Sequence, residues 1–250
     1  MKALITGASS GIGREFAKEF AKMGYNLVIA ARRTDRLQEL KSSIKNVNVE
    51  IYTCDLSVEE ECFKLYNAYP DIDILINNAG FGVFGNFSKT NLNKEINMLD
   101  VNIKAVHILT KLYYLRMIER NNGYILNVAS SAAFFPGPMF SSYYASKAYV
   151  YRITEAIAEE ISKEKYNVHI SVLCPGPVDT EFNDVANVKF GVSSVTAEYT
   201  AKYAIKKMFK NKTVIVPSFI IKCTRFFSKI IPDRLSAKCV YKIQKSKTLN

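Results

Sequence analysis

ALITGASSGIG, residues 3–13, runs from a short apolar segment straight into three glycines, Gly7, Gly11 and Gly13, set among small polar residues. The apolar part reads as a buried strand, and the glycines let the chain turn tightly and enter a helix. A nucleotide diphosphate suits such a turn, because the first N–H groups of a helix and its dipole favour an anion. A glycine-rich turn on its own is equally compatible with a purely structural bend. Its spacing is neither G-x-G-x-x-G nor a phosphate loop ending in G-K-[ST].

Outward from this stretch, further apolar runs follow at intervals: LVIAA, VEIYT, DILIN, YILNVA, HISVLC and TVIVP. Between them lie segments with helical periodicity: EFAKEFAKM, DRLQELKSSI, EEECFKLYNAY, then about Leu92 to Arg120, Ser142 to Glu164 and Thr196 to Phe209. Strands that alternate with helices and are apolar on both sides predict an α/β fold, a doubly wound parallel sheet of seven strands with helices on both faces. Such sheets hold ligands beyond the carboxyl ends of their strands, where the winding reverses. Functional residues are therefore expected just after each apolar run.

The 250 residues are 48% apolar and 23% charged, enough to build one domain around a buried core. No signal peptide is expected from the polar, glycine-rich start. Residues 121–146 carry no charge, yet their Ser, Asn, Pro and Gly content argues against a membrane-spanning helix. Cys54, Cys62, Cys174, Cys223 and Cys239 show no paired or metal-like spacing, and only His107 and His169 could join them. Reduced thiols in a cytoplasmic chain without a metal site are the expectation.

The second apolar run ends IAARR. Ala31 stands where an acid would accept hydrogen bonds from a ribose 2′-hydroxyl, while Arg32 and Arg33 suit a 2′-phosphate and so favour NADP. A solvated pair of charges opening a helix is the competing reading. In SSYYASK, residues 141–147, Tyr143 and Lys147 are four apart and share a helix face, whereas Tyr144 has Ala148 at that offset. A phenol needs a neighbouring cation to ionise near neutral pH, and only Tyr143 has one in place. Half-buried packing is the commoner account of a bare Y-x-x-x-K.

In order and spacing these motifs resemble the short-chain dehydrogenase/reductase family, over about residues 1–216. TGASSGIG is similar to its cofactor turn, which implies contacts from Gly7, Ser9, Ser10, Gly11, Ile12 and Gly13. CDLS, with Asp55 and Leu56, resembles the adenine-side acid, and NNAG, with Asn78, Ala79 and Gly80, the motif ending the fourth strand. PGPVDT supplies Pro175, Gly176, Val178 and Thr180 for the nicotinamide side. The resemblance implies a Rossmann-like fold, a homo-oligomer and an NADP(H)-dependent oxidoreductase. Its catalytic set would be Asn102, Ser130, Tyr143 and Lys147, with Ser131 the alternative to Ser130. Tyr143 would exchange the proton, Ser130 hold the reacting oxygen, Lys147 lower the tyrosine's pKa and hold the ribose, and Asn102 position a water. A cofactor-binding docking protein with little catalytic activity is the rival reading.

Phe81, Val83, Phe84, Phe134, Phe135, Pro136, Pro138, Met139 and Phe140 surround these motifs, so an apolar carbonyl or alcohol is the expected substrate. Residues 181–195 correspond to a substrate lid in the resemblance. Positive charge gathers late: from Lys202 onward, thirteen Lys or Arg face the single Asp233. Residues 217–250 read as a basic extension, and within it 217–232 form an amphipathic helix with Phe219, Ile220, Cys223, Phe226, Phe227, Ile230 and Ile231 on one face. Three uses compete: a cover or subunit contact, peripheral contact with the inner membrane surface, or nucleic acid, which is the weakest because no nucleic-acid fold accompanies the charge.

Overall fold

The first apolar run lies at the middle of the molecule. In a computed structural model, which describes residues 1–181 and 195–246, it forms β1 (Lys2–Thr6), hydrogen-bonded on both sides to parallel neighbours. The other runs are β2 (Asn26–Ala31), β3 (Val49–Thr53), β4 (Ile74–Asn77), β5 (Gly123–Val128), β6 (Val168–Leu173) and β7 (Val214–Ile215). All pair in parallel in one seven-stranded sheet of order β3-β2-β1-β4-β5-β6-β7. The winding reverses between β1 and β4, so the crevice at their carboxyl ends is where this architecture places a ligand.

Both faces are covered, as the continuous apolar runs require. On one side α1 (Gly11–Lys22), α2 (Thr34–Ser43) and α7 (Ala197–Met208) bury Phe16, Phe20, Leu37, Ala201 and Met208 against Ile5, Ile29 and Ile76. On the other, α3 (Glu59–Ala68), α5 (Val106–Glu119) and α6 (Ser141–Glu164) bury Leu65, Leu109, Tyr113 and Ile161 against Leu4, Val28 and Ile125. A polar tie runs through the interior: Asn77 Nδ2 donates to Asn127 Oδ1 (2.9 Å) and Thr110 Oγ1 (3.0 Å), and Asn127 Nδ2 donates to Thr154 Oγ1 (3.0 Å). It joins β4, β5, α5 and α6 by buried side chains.

Two segments differ from the sequence reading. The helical stretch expected from Leu92 to Arg120 is α4 (Leu92–Leu99), a π-helical turn (Asp100–Ala105) and α5. The wider turn falls on DVNIKA, where Asn102 points inward and is fully buried, the placement that π-turns commonly serve. The helix expected over 217–232 is shorter, α8 (Phe219–Phe227), and a further helix, α9 (Asp233–Lys245), follows it. Pro232 separates them, since a residue without an N–H cannot continue the ladder yet starts the next helix well. Most of the lid expectation, residues 182–194, lies outside the described residues.

Candidate active site

The glycine turn is built by contact with β4. Gly7 has φ +66°, and a β-carbon there would lie 2.8 Å from Ala79 Cα and 2.9 Å from Ala79 N. Asn78 fastens the two motifs, its Nδ2 donating to the carbonyls of Thr6 (3.0 Å) and Gly7 (3.2 Å), while Thr6 Oγ1 accepts from the N–H groups of Asn78 and Ala79. Thr6, which sequence reasoning passed over, is thus a keystone of the turn. Behind the turn, α1 opens with no acidic residue in its first turn and no side-chain cap from Ser10. That leaves its N-terminal N–H groups and dipole available to an anion.

Arg33 closes the outer end. Its Nη2 donates to Ser10 Oγ (2.9 Å) and Ser9 Oγ (3.1 Å), and its Nη1 pairs with Glu181 (2.8 Å). Arg32 lies 3.9 Å from Asp55, which also accepts from Ser57. The cradle around Gly7, the uncapped helix start and the arginines together fit a dinucleotide: backbone donors for a diphosphate and guanidinium groups beyond them.

From this end a cavity of about 490 Å³ runs across the carboxyl ends of the strands. It is lined by Gly7, Ser9, Ser10, Gly11, Ile12, Arg32, Arg33, Asp55 and Leu56, then Asn78, Ala79 and Gly80. Ser130, Tyr143, Lys147, Pro175, Gly176, Val178 and Thr180 complete the set that the sequence singled out. Two expected residues stand behind the wall instead. Gly13 packs against the Gly7 carbonyl, where a β-carbon has no room. Asn102 clamps a loop: Nδ2 donates to Phe81 O (2.9 Å) and Ser146 Oγ (3.1 Å), and Oδ1 accepts from Phe81 N (3.1 Å).

At the reacting end, α6 presents Tyr143 and Lys147 one turn apart, both buried. Lys147 Nζ donates to Val128 O (3.0 Å) and lies 5.8 Å from the centre of the Tyr143 ring. Burial pulls the ammonium down to about 8. Tyr143 is pushed up from the usual tyrosine range by burial, against which a Ser130 hydrogen bond favours the phenolate. The expectation that the tyrosine's pKa is lowered is thus reversed, because removing the phenol from water outweighs that bond. Ser130, extended at the end of β5, is the serine on Tyr143; Ser131 starts a short 3₁₀ turn and donates its N–H to Pro175 O (2.8 Å).

The apolar wall is narrower than expected. Phe81 and Phe140 line the cavity, Phe140 stacked on Tyr143 at 4.5 Å, with Val83 and Phe84 packed behind. Phe134 turns away onto Tyr151, and Phe135, Pro136, Pro138 and Met139 are not in the lining. Tyr144, which lacks a cation, nevertheless lines the cavity, as do Glu181 and, from α9, Gln244. Tyr144 follows from one further step along the helix, but neither Glu181 nor Gln244 sits in any local pattern that marks it.

Comparison with known proteins agrees with this geometry. The family model described as short chain dehydrogenase matches residues 1–190. An uncharacterised oxidoreductase of Staphylococcus saprophyticus is 36% identical over 187 residues, 72% of this chain and 75% of its own. The 17-beta-hydroxysteroid dehydrogenase type 3 of Mus musculus is 32% identical over 211 residues, 82% of this chain and 68% of its own. Among solved structures, a short-chain dehydrogenase of Sphingobium yanoikuyae in complex with NADPH superposes with a TM-score of 0.82 at 26% identity, over 92% of this chain and 96% of that one. With a parallel sheet of this order, a glycine cradle at its switch point and this family match, the chain belongs to the short-chain dehydrogenase family of oxidoreductases.

Proposed function

We propose that this protein is an NADP(H)-dependent oxidoreductase that interconverts apolar ketones or aldehydes and their alcohols. The observation that carries the reading is the grouping of Ser130 with the buried Tyr143 and Lys147 at the apolar end of a cavity whose other end is a glycine cradle topped by arginines. The backbone of residues 7–13 and the start of α1 would hold the diphosphate, Arg33 with Ser9 and Ser10 a 2′-phosphate, and Asp55 with Leu56 the adenine side. A bound nicotinamide supplies the hydride. Ser130 hydrogen-bonds the carbonyl oxygen, and Tyr143, kept a phenol by burial, gives that oxygen its proton. Lys147 places positive charge beneath the ring, and Asn102 acts as a positioning residue by fixing the Phe81 loop against α6. Phe81 and Phe140 exclude water and favour an apolar substrate.

The test is carbonyl reduction by Tyr143→Phe, with cofactor binding titrated separately by fluorescence. Turnover is expected to fall at least about a hundredfold with binding retained, and undiminished turnover would refute the assignment.

A second reading concerns location. α8 buries none of its residues and leaves Phe219, Ile220, Phe226 and Phe227 exposed, and Ile230, Leu235, Tyr241 and Ile243 continue the apolar surface. Lys222, Lys229, Arg234, Lys238, Lys242 and Lys245 are exposed among them. Apolar side chains ringed by cations suit peripheral contact with an anionic lipid surface. No described helix is long and apolar enough to cross a membrane.

A further inference from the structure

Among the described residues, three buried side-chain atoms lack a hydrogen-bond partner: Asn77 Oδ1, Ser171 Oγ and Gln244 Oε1. The first two sit on β4 and β6, within the sheet. Gln244 alone of the three lines the catalytic cavity. It is 2% exposed, near the end of a helix whose other buried residue is Ser236. Its Nε2 donates to Tyr144 Oη (2.8 Å) across a hundred residues of sequence. Tyr144 in turn lies beside Tyr143, ring centres 6.3 Å apart.

A buried carbonyl oxygen without a donor is costly, so native proteins rarely keep one unless something else completes it. Here the amide is shared unequally. The N–H side is spent on Tyr144, which leaves the oxygen as the unmet group. Besides Ser130 with Tyr143, where the proton moves, the cavity lining thus carries a second polar pair, Gln244 with Tyr144 at the α9 side.

We propose that Gln244 Oε1 is an acceptor for a hydroxyl or N–H carried by the substrate away from its reacting carbonyl. This rests on the reductase reading above and narrows it, since the substrate becomes an apolar carbonyl compound with a hydrogen-bond donor at its far end. Gln244 touches that donor and no reacting atom, so it sets specificity and not the chemistry.

The probes are methyl ketones of increasing chain length, each as the parent, the terminal alcohol and its methyl ether, assayed with NADPH and NADH. The readout is the ratio of kcat/KM within each set, which cancels any general loss in a variant. At one chain length the alcohol is expected to exceed its parent about tenfold, the scale of one hydrogen bond to a buried acceptor. The ether, which cannot donate, shows no such gain. Gln244→Met brings the ratio to about one, and Gln244→Glu, which keeps an acceptor, preserves it. A wild-type ratio near one at every length, an ether equal to the alcohol, or a preference surviving in Gln244→Met overturns the subsite while leaving the reductase standing. If the wild type reduces no ketone with either cofactor, the underlying reading falls and the subsite with it.

Discussion

Single side chains in the cleft carry opposed demands. Lys147 is buried as a cation whose pKa is drawn down to about 8, below the ordinary lysine value of 10.5. The folded protein therefore binds fewer protons than the unfolded chain between those values, so this group costs stability most below pH 8 and the cost fades as pH rises toward 10.5. Lys147→Met is expected to be more stable than wild type at pH 7, by about 3 kcal/mol at most, with the gap in urea midpoint closing at alkaline pH. The same titration predicts that carbonyl reduction declines above about pH 8 as the cation is lost; a rate level to pH 10 would separate Lys147 from the chemistry. Arg33 offers a simpler case, for its removal takes two hydroxyl partners and one charge from the outer cradle. Arg33→Ala should lower the NADPH-over-NADH preference by about ten- to a hundredfold, the range for charge-assisted hydrogen bonds, measured by direct binding. These residues were legible because each belongs to a short motif at fixed spacing. The raised pKa of Tyr143 was not, since a sequence shows the neighbouring cation at four residues but not the depth at which the phenol is buried.

The decisive element is the strand, turn and helix of residues 2–22. Gly7 sits where a side chain would meet the backbone of Ala79 and where the left-handed conformation itself disfavours other residues. Gly7→Ala is expected to lose about 2 kcal/mol or more of unfolding free energy and most cofactor affinity, read by denaturation and by nucleotide titration. A loss of affinity without loss of stability would mean that the turn yields more easily than its contacts suggest. Periodicity exposed nearly every such element, because strands buried on both faces and helices buried on one leave different patterns. It failed where a pattern is preserved while the hydrogen bonding changes. The apolar spacing continues through Asp100–Ala105, so the π-turn that swings Asn102 inward is invisible in it. It failed again at α9, whose buried residues are Ser236 and Gln244 while Leu235, Tyr241 and Ile243 face outward, an inversion of the usual rule.

At the scale of the molecule, charge and exposed apolar surface lie together on the region after β7. Phe226→Ser with Phe227→Ser removes two exposed rings from α8, so stability should shift by no more than about 0.5 kcal/mol while pelleting with phosphatidylserine vesicles is lost. Retained pelleting would assign the binding to charge alone, and then added salt should abolish it. The parallel sheet and its cover of helices on both faces followed from the alternation of runs, whereas the return of α9 to the cavity depends on contacts that no local pattern encodes. That return has a consequence for biosynthesis. Tyr144 leaves the ribosome a hundred residues ahead of Gln244, and the cradle made by Gly7, Asn78 and Ala79 is earlier still. The residues of the cradle are thus synthesised well before Gln244, the residue that completes the α9 side of the cavity.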